Sequence, residues 1–325
     1  MNLKVSTLPS PTISIVVPVY RGEKTLRELY ERIVAVLEQS SLSFELIFVE
    51  DSGGDQSWWM IQNIAEEDER VRGINFSRNF GQHAATICGF SSSKGQWVIT
   101  LDDDLEQAPE HIPALYEKAL QGADLVYGVY PERTHSKWRN ITSAAARWIF
   151  KKAIPTLNYD YTSYRVIRGD LARALAQFDS PYPFVDGYLS WLTNNYATVS
   201  VPHESRAHGE SNYTLKKLLT HTINIFVTFS DLPLRMATWL GFAAFLLGAG
   251  WLVIIFISFL TGHVTVSGYA SIMAGILAFG GVQLLVLGVF GEYLGRINFK
   301  SSRKPLYLIR GTTGAQGDAC QVKNV

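Results

Sequence analysis

The sequence predicts an α/β domain built on a parallel sheet, followed by a hairpin of two membrane-spanning helices. Between residues 12 and 130, short apolar segments alternate with longer helical patterns, and polar residues follow each apolar segment. Between residues 236 and 291 there is no Asp, Glu, Lys or Arg. The two patterns together indicate a globular domain and a membrane anchor in one chain.

Five apolar segments are the predicted strands. A helical pattern follows them; residues 25–39, for example, place Leu26, Leu29 and Ile33 on one face. Strands that are apolar on both faces occur in parallel sheets covered by helices, and such sheets bind ligands beyond the carboxyl ends of their strands. The polar residues after four of the strands should therefore face one crevice. The predicted strands are residues 13–17, 44–49, 73–76, 97–101 and 124–128.

Composition excludes one class of function. The formal net charge of the 325 residues is zero, whereas a nucleic-acid-binding domain normally carries a basic excess. No nucleic-acid partner is therefore expected. Cys88 and Cys320 match no disulfide or metal-site spacing; this is compatible with a reducing compartment, but ordinary buried or tail thiols are the favoured interpretation. Residues 1–11 lack the apolar core of a signal peptide, so the first domain is expected to begin in the cytoplasm.

Two uncharged segments, residues 236–260 and 264–291, are each long enough to cross a bilayer. The connection between them carries no Lys or Arg, whereas Arg235 precedes the first segment and Arg296 and Lys300 follow the second. By the positive-inside rule, both termini and the whole first domain face the cytoplasm. The expected location is the inner (cytoplasmic) membrane, with the chain crossing it twice.

Two basic amphipathic segments, residues 138–154 and 215–232, fit either a membrane interface or a core helix with a solvated basic face. The second lies directly before the hairpin, which favours the interface. The tail is polar from Gly311 onward and is expected to be loose. The predicted division is a catalytic domain over residues 1–214, an interface helix over 215–235, the hairpin over 236–298 and a cytoplasmic tail over 299–325.

Three consecutive aspartates, Asp102, Asp103 and Asp104, directly follow the core of the fourth predicted strand. Clustered carboxylates repel one another unless a positive charge neutralises them, and hard oxygen ligands suit Mg²⁺ or Mn²⁺. The other interpretation is a solvated acidic turn that continues through Glu106 and Glu110 into the next helix. The spacing favours a divalent metal without excluding the turn.

Asp51 follows the second predicted strand and is a candidate hydrogen-bond acceptor for a nucleobase or ribose. Gly53 and Gly54 behind it would let the backbone approach a ligand closely. Asp-Ser-Gly-Gly is also typical of an ordinary turn. In combination with the aspartate cluster, the segment favours a nucleotide site.

Six motifs in this order resemble the successive motifs of polyprenyl-phosphate glycosyltransferases. These are family 2 enzymes related to dolichyl-phosphate mannose synthase and to bacterial undecaprenyl-phosphate sugar transferases. The resemblance covers residues 12–303. It implies an α/β fold of the GT-A type, a Rossmann-like nucleotide-sugar domain, with a C-terminal two-helix transmembrane hairpin. The motifs are VVPVY (16–20), VEDS (49–52), NFGQH (79–83), LDDDLE (101–106), DYTSYR (160–165) and RAHGESNY (206–213).

The resemblance also implies a role for each matching position. Asp160 corresponds to the aspartate proposed as catalytic base, and Asp104 and Arg206 complete the catalytic set. Asp104 would ligate Mg²⁺ or Mn²⁺ on the diphosphate, together with Asp102 and Glu106. The implied nucleotide-binding residues are Pro18, Tyr20, Asp51 and Asp102, and the implied contacts to donor or acceptor phosphate are Arg133, Arg139, Arg165 and Ser211.

Three positions depart from the family pattern. Arg21 and Gly22 stand where the family has Asn-Glu, with Glu23 one place later, so an acidic contact to the nucleotide is missing or shifted. Glu106 replaces a Gln of many members, which adds a charge near the metal. Asn212 replaces a Lys, which leaves one phosphate contact open.

The implied reaction is inverting transfer of a single sugar from a nucleotide-sugar to a polyprenyl phosphate on the cytoplasmic leaflet, for cell-surface glycan modification. The motifs are most similar to the bacterial branch, so a UDP-sugar and undecaprenyl phosphate are expected. Family analogy implies a homo-oligomer, a tetramer. The alternatives are a nucleotide-binding membrane scaffold without transfer, and a transferase with a different lipid acceptor. A processive polysaccharide synthase would need more membrane helices than two.

Overall fold

The computed structural model describes residues 11–130, 161–178, 180, 183–202, 230, 232–261, 268–302 and 304–314. The strands within these residues form one mixed sheet in the order β7-β5-β6-β4-β1-β2-β3-β8. The strands are β1 (Ile13–Val19), β2 (Phe44–Glu50), β3 (Val71–Phe76), β4 (Trp97–Thr100), β5 (Leu125–Val129), β6 (Arg165–Arg168), β7 (Tyr196–Ser200) and β8 (Ile309–Thr313). The helices are α1 (Leu26–Gln39), α2 (Ser57–Glu67), α3 (Gln82–Ser92), α4 (Ile112–Leu120), α5 (Gly169–Leu175), α6 (Val185–Leu192), α7 (Leu232–Leu260) and α8 (Tyr269–Ser301).

The first four strands confirm the predicted βαβ rhythm. β1 pairs in parallel with both β2 and β4, and β2 pairs in parallel with β3. Every residue of β1 and β2 is buried, as expected for central strands covered on both faces. Pro18 lies beyond Val16, the last β1 residue that pairs with β4, so its missing N–H breaks no bond of that ladder.

The other half of the sheet is mixed, which the predicted βαβ rhythm does not reveal. β6 lies between β4 and β5 and runs antiparallel to both, and β7 pairs in parallel with β5. β6 has only four residues, Arg165–Arg168, which is too short for a periodic pattern to reveal. Because Arg165 pairs with Thr100 at the end of β4, this strand brings residues 161–165 beside the aspartate cluster.

Helix α3 packs directly on β1, and a glycine permits the close contact. A Cβ atom built on Gly89 would lie 2.1 Å from Cγ1 of Val16, which is far inside van der Waals contact. Val16 is fully buried in the central strand, so it has no room to retreat. The approach of α3 to the sheet therefore depends on Gly89.

Replacing Gly89 by Ala should lower the free energy of unfolding of the catalytic domain. The added methyl group overpacks the α3–β1 contact at a cost of about 1–3 kcal/mol, which exceeds the helix-propensity gain of about 1 kcal/mol. Ser92→Ala on the same helix is the control, because the buried Ser92 hydroxyl bonds to none of the residues described here. Denaturant unfolding followed by tryptophan fluorescence measures both; equal stability of the two variants would contradict the packing argument.

Helices α7 and α8 form an apolar hairpin by their composition. Leu234–Trp251 of α7 is long and apolar enough to cross a bilayer, with a mean hydropathy of 1.2. α8 carries a shorter apolar segment, Phe279–Gly295. Large apolar side chains such as Trp239, Leu247 and Leu284 are exposed on both helices, which is the distribution expected of helices that face lipid. The two predicted spans lie largely within α7 and α8.

The chain after the hairpin corrects one prediction. The tail was expected to be loose from Gly311, but Gly311, Thr312 and Thr313 belong to β8, which pairs antiparallel with β3. The side chain of Tyr307, just before β8, stacks on Phe76 with ring centroids 5.0 Å apart. Residues 304–314 are therefore part of the sheet domain. Residues 315–325 lie outside the described part of the chain.

Candidate active site

The ends of β1 and β4 meet through Asp103. The backbone N–H of Tyr20 donates to Oδ2 of Asp103 at 2.9 Å, and the Tyr20 side chain is 41% exposed. A Cβ atom on Gly22 would lie only 2.6 Å from the same Oδ2 atom. Gly22 and Asp103 therefore fit each other, and this fit explains why a side chain is absent at position 22.

Glu23, the acid shifted by one place, is engaged elsewhere. Its Oε2 atom accepts from the backbone N–H of Gln56 at 3.1 Å, directly before α2. Arg21 lies against the neighbouring turn, with its Nε donating to the carbonyl of Gly53 at 3.1 Å. These contacts tie the loop after β1 to the loop after β2. In this structure, the shifted acid therefore stabilises a helix start.

Asp102 is held by three side-chain donors. Nε2 of Gln82 donates to its Oδ1 at 2.6 Å, while Nε2 of Gln107 and Oγ of Ser163 donate to its Oδ2 at 2.9 and 2.6 Å. Gln107 also accepts from the backbone N–H of Asp102. The three donors come from the start of α3, the turn after β4 and the segment before β6. They fix the orientation of the Asp102 carboxylate.

Asp104 and Glu106 continue the same turn. The backbone N–H of Glu106 donates to Oδ1 of Asp104 at 3.1 Å, and Leu105 between them has φ of +62°. The Asp102 carboxylate, by contrast, is oriented by its three side-chain donors. Within the described ranges, no group of three or more His, Cys, Asp or Glu side chains could hold a metal ion. The metal role that the resemblance implies for Asp102, Asp104 and Glu106 stays a prediction.

Burial and neighbouring carboxylates raise the pKa of two members of the aspartate cluster, Asp102 and Asp103. Burial, followed by the charge of Asp104, raises the pKa of Asp102 to about 6, against the stabilising bond from Ser163. Burial and the charges of Asp102 and Asp104 raise the pKa of Asp103 to about 7. Burial and the same group of carboxylates also raise the pKa of Tyr130, at the end of β5. The turn thus concentrates negative charge on half-buried side chains, which favours a cation.

Asp51 positions a loop. Its Oδ1 and Oδ2 atoms accept from the backbone N–H groups of Phe80 and Gly81 at 2.6 and 2.8 Å, and the residue is 3% exposed. The sequence predicts a base or ribose contact here, whereas the structure assigns both carboxylate oxygens to the loop after β3. That loop leads directly to Gln82 and hence to Asp102.

The Asp51 carboxyl should give the protein a measurable pH dependence. Burial raises its pKa to about 6, so its contribution to stability is present at low pH and is lost as pH rises through about 6. The free energy of unfolding of wild type minus that of Asp51→Asn should therefore grow by up to about 3 kcal/mol between about pH 7.5 and pH 4. Denaturant titrations without nucleotide or metal measure this difference.

Asp170→Asn is the control for this titration. Arg168 lowers the pKa of the exposed Asp170 carboxyl, so its smaller contribution should change with pH in the opposite direction. A wild-type advantage over Asp51→Asn that stays constant or shrinks as pH falls would contradict the assignment.

Arg165 lies behind the site. It is 2% exposed and forms a buried ion pair with Asp186 at the start of α6. Its Nε donates to Oγ1 of Thr100 at 3.0 Å, and that hydroxyl donates to the carbonyl of Ser163 at 2.5 Å. In this structure the Arg165 guanidinium is bonded to Asp186 and Thr100, and its predicted phosphate contact stays a prediction. The guanidinium supports Ser163, which holds Asp102.

Several predicted site residues cannot be placed. Asp160, Arg133, Arg139, Arg206 and Ser211 lie outside the described residues. Residues 138–154 and nearly all of 215–232 do as well. Their roles remain predictions.

Three residues of the site were missed by sequence reasoning. Gln82 and Ser163 stand inside motifs but carried no assigned role, and Gln107 stands outside the motifs. An amide or hydroxyl in a loop has no periodic or charge pattern that would reveal its partner. Only their convergence on Asp102 identifies them.

Comparison with known proteins identifies the family. Residues 14–171 match the model of glycosyl transferase family 2, and residues 232–297 match that of the GtrB C-terminal hairpin. The undecaprenyl-phosphate 4-deoxy-4-formamido-L-arabinose transferase of Pseudomonas aeruginosa strain LESB58 is 33% identical, covering 96% of this chain and 95% of its own. The chain belongs to glycosyltransferase family 2. The predicted resemblance to polyprenyl-phosphate glycosyltransferases is confirmed.

Another sequence relative also aligns over nearly the whole chain. The uncharacterized glycosyltransferase YkcC of Bacillus subtilis strain 168 is 32% identical, covering 93% of this chain and 94% of its own. A crystal structure of glucosyl-3-phosphoglycerate synthase from Mycobacterium tuberculosis aligns with a TM-score of 0.49 at 19% identity, covering 67% of this chain and 79% of that one. The sequence relatives span both the sheet domain and the hairpin of the glycosyltransferase.

Proposed function

We propose that this glycosyltransferase transfers one sugar from a nucleotide-sugar to a polyprenyl phosphate, with inversion at the anomeric carbon. The proposed donor is a UDP-sugar and the proposed acceptor is undecaprenyl phosphate; the product would serve cell-surface glycan modification. The observation that carries this proposal is the aspartate turn, with its raised pKa values, at the ends of β1 and β4. It occurs in a chain that aligns over 96% of its length with a named undecaprenyl-phosphate sugar transferase.

The turn suits a divalent cation that substrate helps to bind. Mg²⁺ and Mn²⁺ typically take one or two carboxylates and leave the remaining positions to water and phosphate. This agrees with the lack of a three-ligand group among the described residues. Asp104 would be the principal ligand, with Asp102 or Glu106 as the second. When bound, the cation would stabilise the charge that develops on the leaving diphosphate.

The main task of the protein is to bring two anions together. A phosphate oxygen of the acceptor forms the new bond to the anomeric carbon while the bond from that carbon to the nucleoside diphosphate breaks. Arg133, Arg139 and Arg206 are the proposed phosphate contacts, because the guanidinium fork binds phosphate through two hydrogen bonds. Asp102, fixed by its three donors, is the proposed nucleotide contact, together with Pro18 and the exposed Tyr20.

Asp160 should matter less than Asp104. A phosphate monoester has its second pKa at about 6, so the acceptor is already largely dianionic at neutral pH and needs no strong base. Asp160 would orient the acceptor or remove a residual proton. We expect Asp160→Asn to lower turnover less than Asp104→Asn does. Steady-state rates of both purified variants test this ranking, and the reverse order would make proton removal the dominant contribution.

The proposed location follows from the hairpin. Lys and Arg side chains near an anionic surface contribute on the order of 1 kcal/mol each, so the basic segments before and after the hairpin would hold the crevice at the cytoplasmic leaflet. We propose two crossings of the inner membrane, with both termini in the cytoplasm. A homo-oligomer, as in the family analogy, is part of the same proposal.

The deciding experiment uses detergent-purified protein with Mg²⁺ or Mn²⁺, undecaprenyl phosphate and a panel of UDP- and GDP-sugars. The lipid product is followed by mass spectrometry. We expect one sugar-phosphate-lipid product, which EDTA abolishes. Nucleotide binding without any product would favour a nucleotide-binding scaffold, whereas transfer to another lipid would replace the proposed acceptor.

A further inference from the structure

The segment after the hairpin contacts the loop that reaches Asp102. β8 pairs with β3 from Gly73 to Phe76. One step beyond the ladder, the backbone N–H of Ser77 donates to the carbonyl of Leu308 at 2.9 Å. Residues 77–81 form the loop between β3 and α3. The first residue of this loop is therefore held by a hydrogen bond to the segment that leads into β8, near the C-terminal end of the sequence.

Aromatic rings continue this contact into the loop. Tyr307 stacks on Phe76 with ring centroids 5.0 Å apart and planes 11° apart. Phe76 in turn contacts Phe80 edge to face, with centroids 5.6 Å apart. The hydroxyl group of Tyr307 lies 3.2 Å from Oγ of Ser91 on α3. Tyr307 therefore contacts β3 through its ring and α3 through its hydroxyl group, and these two elements flank the loop.

The loop has one further attachment before it reaches the site. Asp51 accepts the backbone N–H groups of Phe80 and Gly81. The next residue, Gln82, donates to Asp102 at 2.6 Å. Two attachments therefore position Gln82. Asp51 binds the two residues directly before it, and the segment of Tyr307 and β8 holds the start of the same loop.

We propose that residues 304–314 position the nucleotide site, with Tyr307 as a positioning residue that acts through the 77–82 segment on Asp102. The inference rests on the proposed function, because it takes Asp102 as a nucleotide contact. Its consequence is that the catalytic domain is incomplete without the chain that follows the hairpin. The site would require the C-terminal segment, which acts on Asp102 through residues 77–82.

The test compares three variants of the full-length protein in detergent. Tyr307→Ala removes the stacked ring, and Tyr307→Phe keeps it. Tyr116→Ala is the matched control, because Tyr116 contacts Trp97 edge to face at 6.3 Å, at the opposite end of β4 from Asp102. Two quantities are measured for each: the affinity for UDP with and without Mn²⁺, and amide hydrogen exchange in residues 77–82.

We expect Tyr307→Ala to weaken UDP binding at least about fivefold and to speed exchange in residues 77–82. Tyr307→Phe should stay within about twofold of wild type, as should Tyr116→Ala after correction for the folded fraction. Unchanged UDP affinity in Tyr307→Ala, or an equal loss in Tyr116→Ala, would overturn the inference. If Tyr307→Ala does not fold, Tyr307→Leu, which retains apolar bulk on Phe76, is held to the same criterion.

The experiments distinguish failure of the proposed function from failure of the positioning role of residues 304–314. If wild type binds UDP and Tyr307→Ala weakens that binding, the inference stands even when no lipid product forms. If wild type makes the lipid product and Tyr307→Ala binds UDP normally, the proposed function stands and the positioning role of the tail is wrong.

Discussion

Asp104→Asn should lower turnover by about 10²–10³-fold, the usual effect of removing one preorganised electrostatic contact from a transition state. Asn keeps an Oδ1 atom that can accept from the backbone N–H of Glu106, so the turn should stay folded while the ligand charge is lost. We also expect the variant to need more Mn²⁺ for half-maximal rate. Steady-state kinetics across a Mn²⁺ titration, with thermal unfolding as a check of folding, measures both effects.

Asp103→Asn is the matched control for this prediction. It removes the same charge one residue away, and its Oδ1 atom can still accept from the backbone N–H of Tyr20. Because burial and the neighbouring carboxylates raise the pKa of Asp103 to about 7, its charge is already partly absent at neutral pH. Turnover should remain within about threefold of wild type. A loss as large as that of Asp104→Asn would mean that the total charge of the turn matters, and not ligation by Asp104.

Replacing Asp186 by Leu should destabilise the catalytic domain by about 3–5 kcal/mol, because it leaves the Arg165 guanidinium buried without its counter-ion. Arg165 and Asp186 are 2% and 4% exposed, and Tyr127 also donates to Asp186 at 3.3 Å. Asp170→Leu, which breaks the exposed Arg168–Asp170 pair, should cost less than about 1 kcal/mol. Denaturant unfolding compares the two single variants.

The double variant Arg165→Met with Asp186→Leu distinguishes a role of Arg165 in stability from a role in binding phosphate. Replacing both members of a buried ion pair by apolar residues is often neutral or stabilising, so most of the lost stability should return. Its Michaelis constant for the nucleotide-sugar should stay within about tenfold of wild type if Arg165 only supports Ser163. A stable double variant that binds neither nucleotide nor acceptor would support the phosphate role that the sequence assigns to Arg165.

The edge of the sheet that carries the site could be predicted from local pattern. β1 to β4 are short and apolar, and their direction in a βαβ unit is fixed by the connections between them. It follows that Tyr20, Asp51 and Asp102, each placed after such a strand, lie at the same edge. The partners of these residues could not be predicted, because Asp102 meets Gln82 and Ser163 from positions 20 and 61 residues away.

The interpretation of Gly22 differs between the sequence and the structure. As a sequence feature it is a departure from the family pattern and a missing acidic contact. In the structure it is the place where Asp103 comes within 2.6 Å of a built Cβ atom. Asp103 and the missing side chain at position 22 are one packing solution.

The strands β1 to β5, the uncharged hairpin segments and the six motifs of glycosyltransferase family 2 could all be predicted from local sequence. These depend on patterns within a few neighbouring residues. Three features emerge from the folded chain alone: β6 enters the sheet antiparallel, Arg165 is buried against Asp186, and β8 pairs with β3. Each of these depends on contacts between residues distant in the chain, such as Gly73 with Thr313. The pairing partners of short polar segments cannot be predicted from local sequence, because the burial that stabilises these strands arises only when the sheet assembles.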